Sequence, residues 1–218
     1  MSKVQCMIKL LIKQQPAIDI SSDTVLGGIE ELGGRWLILF ETPRLVVRQL
    51  RHSDADALFA VYSDPLVVRW VGDGTPLTHE LCVKWIKISL RNYQTKGFGA
   101  SAVVAKSNSQ FIGCCGIIYD PQRNEPEIIY GFGKRWWGQG FASEVVRPML
   151  AYGLKQCGLK RILATIAPEN LASVRVAIKA GMVFEREEIE ADGSPTLIYS
   201  IDPNTIKNND IKIIDASP

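Results

Sequence analysis

The stretch "KRWWGQGFASE", Lys134 to Glu144, decides how the chain is read. Two glycines, Gly138 and Gly140, follow the tryptophan pair Trp136 and Trp137. Behind them an apolar stripe at helical spacing begins at once, with Ala142, Val145, Val146, Met149, Leu150, Leu154 and Cys157. In front lies "EPEIIYGF", a strand-like run. A helix start carries unpaired N–H groups and about half a positive charge. Glycine there removes the Cβ and permits φ > 0, so successive N–H groups can converge on one anion. Pyrophosphate is the natural guest of such a turn. A plain strand-to-helix turn is the other reading of the same residues.

Two familiar phosphate loops fail on spacing. The G-x-G-x-x-G fingerprint needs a third glycine where Trp136 or Ser143 stands. A G-x-x-x-x-G-K-[ST] loop would use Gly133 and Lys134, but Arg135 follows and position 128 is Ile. What remains is R-x-x-G-x-G, Arg135 to Gly140, between a strand and a helix.

Outward from that turn the chain alternates in type. Upstream, "RLVVRQL" reads as a strand, followed by a helix with Ser53 as N-cap and Pro65 closing it. A long helix follows behind Thr78, and "GASAVVAK" and "QFIGCCGIIYD" are two more strands. Downstream, "RILATIAP" is a strand and "ENLASVRVAIKAG" a helix ended by Gly181. "MVFEREEIE" and "TLIYSI" are strands joined at Asp192-Gly193. Pro148 should kink its helix or remove one internal hydrogen bond. Hairpin-like strands followed by a β-α-β-α-β passage imply an α/β fold with a mixed, splayed central sheet of six to seven strands flanked by about four helices. Residues 1–41 read as an extension of unknown role, 42–202 as the main domain and 203–218 as a polar tail.

Of the 218 residues, 46% are hydrophobic and 22% charged, enough for one sizeable core. The net charge of +2 and the lack of a basic block argue against nucleic acid or an anionic membrane as partner. Five cysteines without CxxC spacing, and two histidines far apart, His52 and His79, argue against a metal site or disulfide framework and for a reducing cytoplasm. The start "MSKVQCMIKLLIK" is broken by Lys9 and lacks a small-residue cleavage site, so no signal peptide is expected.

The stretch "EIIYGFGKRWWGQGFASE" resembles the acetyl-CoA-binding segment of the GCN5-related N-acetyltransferases, most closely their ribosomal-protein-alanine acetyltransferase branch. Glu127, Ile128, Tyr130, Trp137, Gly138, Gly140, Ala142 and Glu144 match that pattern in type or identity. Departures are Ile129 for a glycine, Gly131 for an aromatic and Lys134 for a proline. "PENLASVRVAIKAGMVFE" is similar to a second family element through Asn170, Ser173, Lys179 and Gly181, with Met182 as a departure. "TPRLVVRQLRHSDADALFAVYSDP" is similar to the branch's opening. The resemblance runs from about Thr42 to Ile201.

That resemblance implies a site. The strand residues Ile128, Ile129, Tyr130, Gly131 and Phe132 would hold the pantetheine and face the thioester carbonyl through backbone N–H groups. Arg135, Trp136, Trp137, Gly138, Gln139, Gly140, Phe141 and Ala142 would form the pyrophosphate loop. Asn170 would be a pantetheine ligand or a helix cap, and Ser173 the acid for the departing thiolate or part of that cap. Glu127 would be the general base, through water, or a surface carboxylate at a strand end; Tyr130 is a second candidate acid or a wall aromatic. Trp85 and Trp70 read as core, near the helices that wall the acceptor site in the family. The implied activity is acetyl-CoA-dependent transfer to a primary amine, with no metal. The acceptor is open between a protein N-terminal amine and a polyamine, aminoglycoside or amino-acid-like amine, and a non-catalytic acyl-CoA binder is the alternative class. A homodimer is left open.

Overall fold

The computed structural model describes residues 37–71, 74–120, 123–190 and 192–205. Among the described residues eight strands form a single sheet: β1 (Ile38–Glu41), β2 (Leu45–Gln49), β3 (Ala100–Ala105), β4 (Phe111–Asp120), β5 (Glu125–Phe132), β6 (Ile162–Ile166), β7 (Val183–Ile189) and β8 (Pro195–Ile201). Among the same residues five α-helices accompany them: α1 (Ala55–Tyr62), the single turn α2 (Pro65–Val68), α3 (His79–Lys96), α4 (Phe141–Ala151) and α5 (Leu171–Lys179). The sheet order is β1-β2-β3-β4-β5-β6-β8-β7. Every pairing is antiparallel except β5 with β6, which the crossover through α4 joins in parallel; α5 makes the same return from β6 to β7, but β8 inserts between those two strands. The mixed α/β sheet is therefore the expected one, with eight strands rather than six or seven. The added strand is β1, which pairs antiparallel with β2.

Local signals explain most of the helices. Thr78 caps α3, its hydroxyl accepting from Leu81 N at 3.2 Å, and Gly97 ends it at φ +78°. Ser53 does not cap α1: His52–Asp54 form a 3-10 turn, and the Asp54 carboxylate is taken by Arg48, whose Nη1 donates to Oδ2 at 2.7 Å. Pro65 opens α2 behind Asp64 instead of merely closing α1, since proline fits the first helical position. Pro148 stays within α4, and the chain continues into a π turn over Tyr152–Gln156, where Cys157 N donates to Tyr152 O at 3.1 Å.

Two apolar layers sandwich the sheet. One lies under α4, with Val145, Val146, Met149 and Leu150 against Ile117, Ile128 and Ile162. The other lies under α1 and α3, with Leu58, Trp85 and Ile86 against Ala100, Ala102 and Cys114. No helix among the described residues is long and apolar enough to cross a membrane.

Candidate active site

β5 and β6 touch in register at one pair only, Glu127 with Leu163. Beyond it the strands part, and Tyr130, Gly131 and Phe132 line an opening that runs to the glycine turn and to α5. The cavity measures about 410 Å³ and also meets Trp137, Asn170 and Ser173. The Phe132 carbonyl points into this gap, where the Trp137 indole donates to it at 2.7 Å. Alternation along a strand turns the N–H and C=O of Tyr130 the same way. Ile129 and Gly131 direct theirs toward β4, and Ile128 is buried in the core.

The glycine turn has the backbone that the sequence asks for. Gly138 and Gly140 sit at φ +74° and +81°, the region that side chains resist. A Cβ at Gly138 would meet nothing within 4 Å, and one at Gly140 only Arg44 Nη2 at 3.7 Å. In the unliganded chain it is therefore the left-handed conformation, rather than crowding, that calls for glycine. Among the described residues no backbone acceptor takes the N–H of Gly138, Gln139 or Gly140. The first N–H groups of α4, from Phe141 to Ser143, are unpaired by helix geometry. Gln139 Nε2 donates to Arg135 O at 2.9 Å, and Trp136 packs edge-on to Phe141. Arg135 points outward, donating to Gln110 and stacking on Trp136.

The turn is anchored by Glu144, in the first turn of α4. Its Oε1 accepts from the Thr42 hydroxyl at 2.6 Å and its Oε2 from Arg44 Nε at 2.7 Å. Burial works to raise the Glu144 pKa, but the bonds from Thr42 and Arg44 outweigh it and hold the carboxyl below its ordinary value. Arg44 also lies over the Phe141 ring at 4.4 Å.

Glu127 is no surface carboxylate. It is 2% exposed at the apex of the splay, with Oε1 bonded to Thr165 and Oε2 without a partner among the described residues. Burial is the main cause that lifts its pKa to about 8, with Asp120 adding to it and Thr165 and Arg123 opposing. Tyr130 spans the gap, its hydroxyl donating to Ser173 O at 3.3 Å, and burial raises it to about 12. Asn170 caps α5, with Oδ1 accepting from Ser173 N at 3.2 Å. The cap thus uses the Ser173 backbone and not its hydroxyl, and Ser173 is among the residues that line the cavity.

Several contributors escape sequence reading. Tyr62, on α1, donates to Gly131 O at 3.3 Å, and a Cβ at residue 131 would meet its hydroxyl at 2.7 Å. That explains the glycine where the resembled pattern has an aromatic: the space belongs to Tyr62. Val67, Trp70 and Val71 roof the cavity, and Arg175 and Lys179 line its α5 side. Trp85 is core, 1% exposed and edge-on to Tyr62 at 5.0 Å.

A family model described as the acetyltransferase (GNAT) domain matches residues 44–183, and these contain the opening, the glycine turn and both strands of the splay. The chain belongs to the GNAT acetyltransferases. This GNAT enzyme is 32% identical over 169 residues to the N-acetyltransferase YoaA of Bacillus subtilis, covering 75% of this chain and 96% of that protein. Among solved structures, a GNAT acetyltransferase from Bacillus anthracis superposes with a TM-score of 0.64 at 25% identity, covering 76% of this chain and 98% of that one. RimL, a ribosomal L7/L12 α-N-protein acetyltransferase solved with coenzyme A, shares the fold at a TM-score of 0.67 and 16% identity, covering 78% of this chain and all of that one. As a GNAT member the protein is an N-acetyltransferase.

Proposed function

We propose that this GNAT enzyme carries the acetyl group of acetyl-CoA directly to a primary amine within a ternary complex. The observation that carries this reading is the single-pair splay of β5 and β6, with a buried carboxylate at its apex and a bare glycine turn at its mouth. The N–H groups of Gly138 to Ala142 receive the pyrophosphate, and the gap-facing edge of Tyr130 and Phe132 holds the pantetheine. The amine nitrogen attacks the thioester carbonyl carbon. The oxyanion that forms is met by preorganised backbone N–H groups. Glu127 takes the ammonium proton through water, for which a carboxylate titrating near 8 is far better matched than an ordinary one. The tetrahedral intermediate then expels the thiolate; the Ser173 hydroxyl donates a hydrogen bond to it and relays a proton that the serine regains from water. Tyr130, titrating near 12, stays protonated and holds β5 to α5.

A neighbour solved with coenzyme A, RimL, and one solved with acetyl-CoA and AMP, the microcin C7 self-immunity acetyltransferase MccE, support the donor assignment. The first supports a protein N-terminal amine as acceptor, and the second keeps small amines in view. A binder without turnover fits less well, because a buried Glu127 oxygen without a partner has a cost that a purely structural position would shed. Initial-rate kinetics with both substrates varied, read by mass spectrometry of the acetylated amine, test the mechanism. Intersecting double-reciprocal lines are expected; parallel lines with an acetylated protein would contradict direct attack.

A further inference from the structure

Tyr62 closes α1 and meets three elements around the site at once. Its backbone carbonyl accepts from Leu77 N at 2.9 Å, which ties off the segment carrying the roof residues Val67 and Trp70. Its ring stands edge-on to Trp85 of α3, with centroids 5.0 Å apart. Its hydroxyl donates to Gly131 O at 3.3 Å. Burial raises this phenol well above its ordinary pKa, so it stays protonated and able to donate. The Cys114 thiol also reaches the phenol. A thiol gives a weak bond to the phenol oxygen, and the one phenol proton remains for Gly131.

The Gly131 carbonyl matters because of the peptide it belongs to. Gly133, next after β5, donates its N–H to Ile112 O at 3.0 Å. By alternation Gly131, opposite Cys114, also turns its N–H and C=O toward β4. Phe132 turns the other way, and its carbonyl takes the Trp137 indole inside the gap. The Gly131 C=O and the Phe132 N–H are opposite ends of one planar peptide. Pairing with β6 has ended at Glu127, so this N–H has no strand opposite it. Its direction is therefore set from the Gly131 oxygen, which β4 holds along the sheet and Tyr62 holds from the α1 side. A donor on that oxygen also polarises the amide and strengthens its N–H. Glycine at 131 is what admits the phenol: a Cβ there would meet the Tyr62 oxygen at 2.7 Å and two of its ring carbons at 3.3 Å.

We infer that Tyr62 is a positioning residue for the acyl donor: through the Gly131 carbonyl it aims the Phe132 N–H at an amide carbonyl of the pantetheine chain. The inference rests on the coenzyme A assignment proposed above. Tyr62 is not one of the residues lining the cavity, whereas Gly131 and Phe132 are, so it acts through their shared peptide.

The test is calorimetry of CoA on the full chain, native and Tyr62→Phe. Phenylalanine keeps the backbone bond to Leu77 and the ring contact with Trp85, and removes only the hydroxyl. CoA affinity should fall by about threefold to tenfold, the net worth of one hydrogen bond. Affinity for ADP, which offers a pyrophosphate to the glycine turn but has no pantetheine, should be unchanged when read by displacement of CoA. A purely structural role would move both. Gly131→Ala gives a second handle. Its methyl pushes the phenol oxygen off the carbonyl in the native background, and in Tyr62→Phe that oxygen is already gone. The two substitutions should therefore be non-additive, the double variant binding CoA within about twofold of Tyr62→Phe. Unchanged CoA affinity in Tyr62→Phe, an equal loss for ADP, or losses that multiply in the double variant would overturn the inference alone. A native chain that binds no CoA would overturn it together with the donor assignment on which it rests.

Discussion

The carboxylate of Glu127 caps the edge of the neighbouring strand: its Oε1 accepts the Thr165 N–H at 3.2 Å and the Thr165 hydroxyl at 2.5 Å. β5 and β6 have parted at this level, so a side chain satisfies an amide beside the opening. The same residue thereby holds the apex of the splay and leaves its second oxygen, Oε2, without a partner among the described residues.

Replacing that carboxylate should act on rate more than on binding. Glu127→Gln keeps an acceptor for Thr165 but removes the base, so kcat should fall by roughly 10²–10⁴. CoA affinity should be retained. The native acidic limb of kcat/KM, near pH 8, should disappear in the variant. A limb that persists unchanged would assign the proton to another group.

The same substitution has a stability signature. A carboxyl titrating near 8 when folded and near its ordinary value when unfolded binds its proton more tightly in the folded state. Its contribution is fully present below the unfolded pKa and is lost as pH rises through about 8. Glu127→Gln should therefore gain in Tm relative to the native protein between pH 5 and pH 8. Parallel Tm profiles across that window would contradict the buried, elevated carboxyl.

Gly140→Val should strain the turn and not merely fill it. The φ of +81° is costly for a β-branched residue, by about 1–2 kcal/mol. Relaxing that strain would turn N–H groups away from the anion. Calorimetry should show weakened CoA binding by a folded variant; unchanged affinity would remove the turn from the binding site.

Ser173→Ala separates catalysis from capping. The cap runs from Asn170 Oδ1 to the Ser173 N–H, so loss of the hydroxyl should leave the thermal melt alone. A thiolate departs with little help, since its conjugate acid lies near 8.5. The expected loss in kcat is therefore about tenfold. Asn170→Ala should instead lower stability by about 1 kcal/mol. A Ser173→Ala melt that drops as far as that of Asn170→Ala would reverse the assignment.

Much of this site is legible because its signals are local. The Gly138 and Gly140 turn, the Thr78 cap, Gly181 beyond α5 and the Asp192-Gly193 turn each depend on residues a few positions apart. Legibility ends where contacts are long-range. Nothing near Tyr62 announces that its hydroxyl fills the space at Gly131, 69 positions away. The burial of Glu127 depends on Thr165, 38 positions on, and a lone Glu at a strand start reads equally well as exposed. The end of "GGRWLILF" reads as strand-like in the sequence, but nothing local tells that the four residues of β1 pair with β2 and so join the main sheet instead of an extension.

The most direct measurement is release of free thiol from acetyl-CoA by the purified full chain, with and without amine, matched to the acetylated product by mass. Release that depends on the amine, equals product in amount and falls in Glu127→Gln is the result expected. Tight acetyl-CoA binding with no amine-dependent release across peptides, polyamines, aminoglycosides and amino acids would contradict the account, leaving a protein that holds the thioester without spending it.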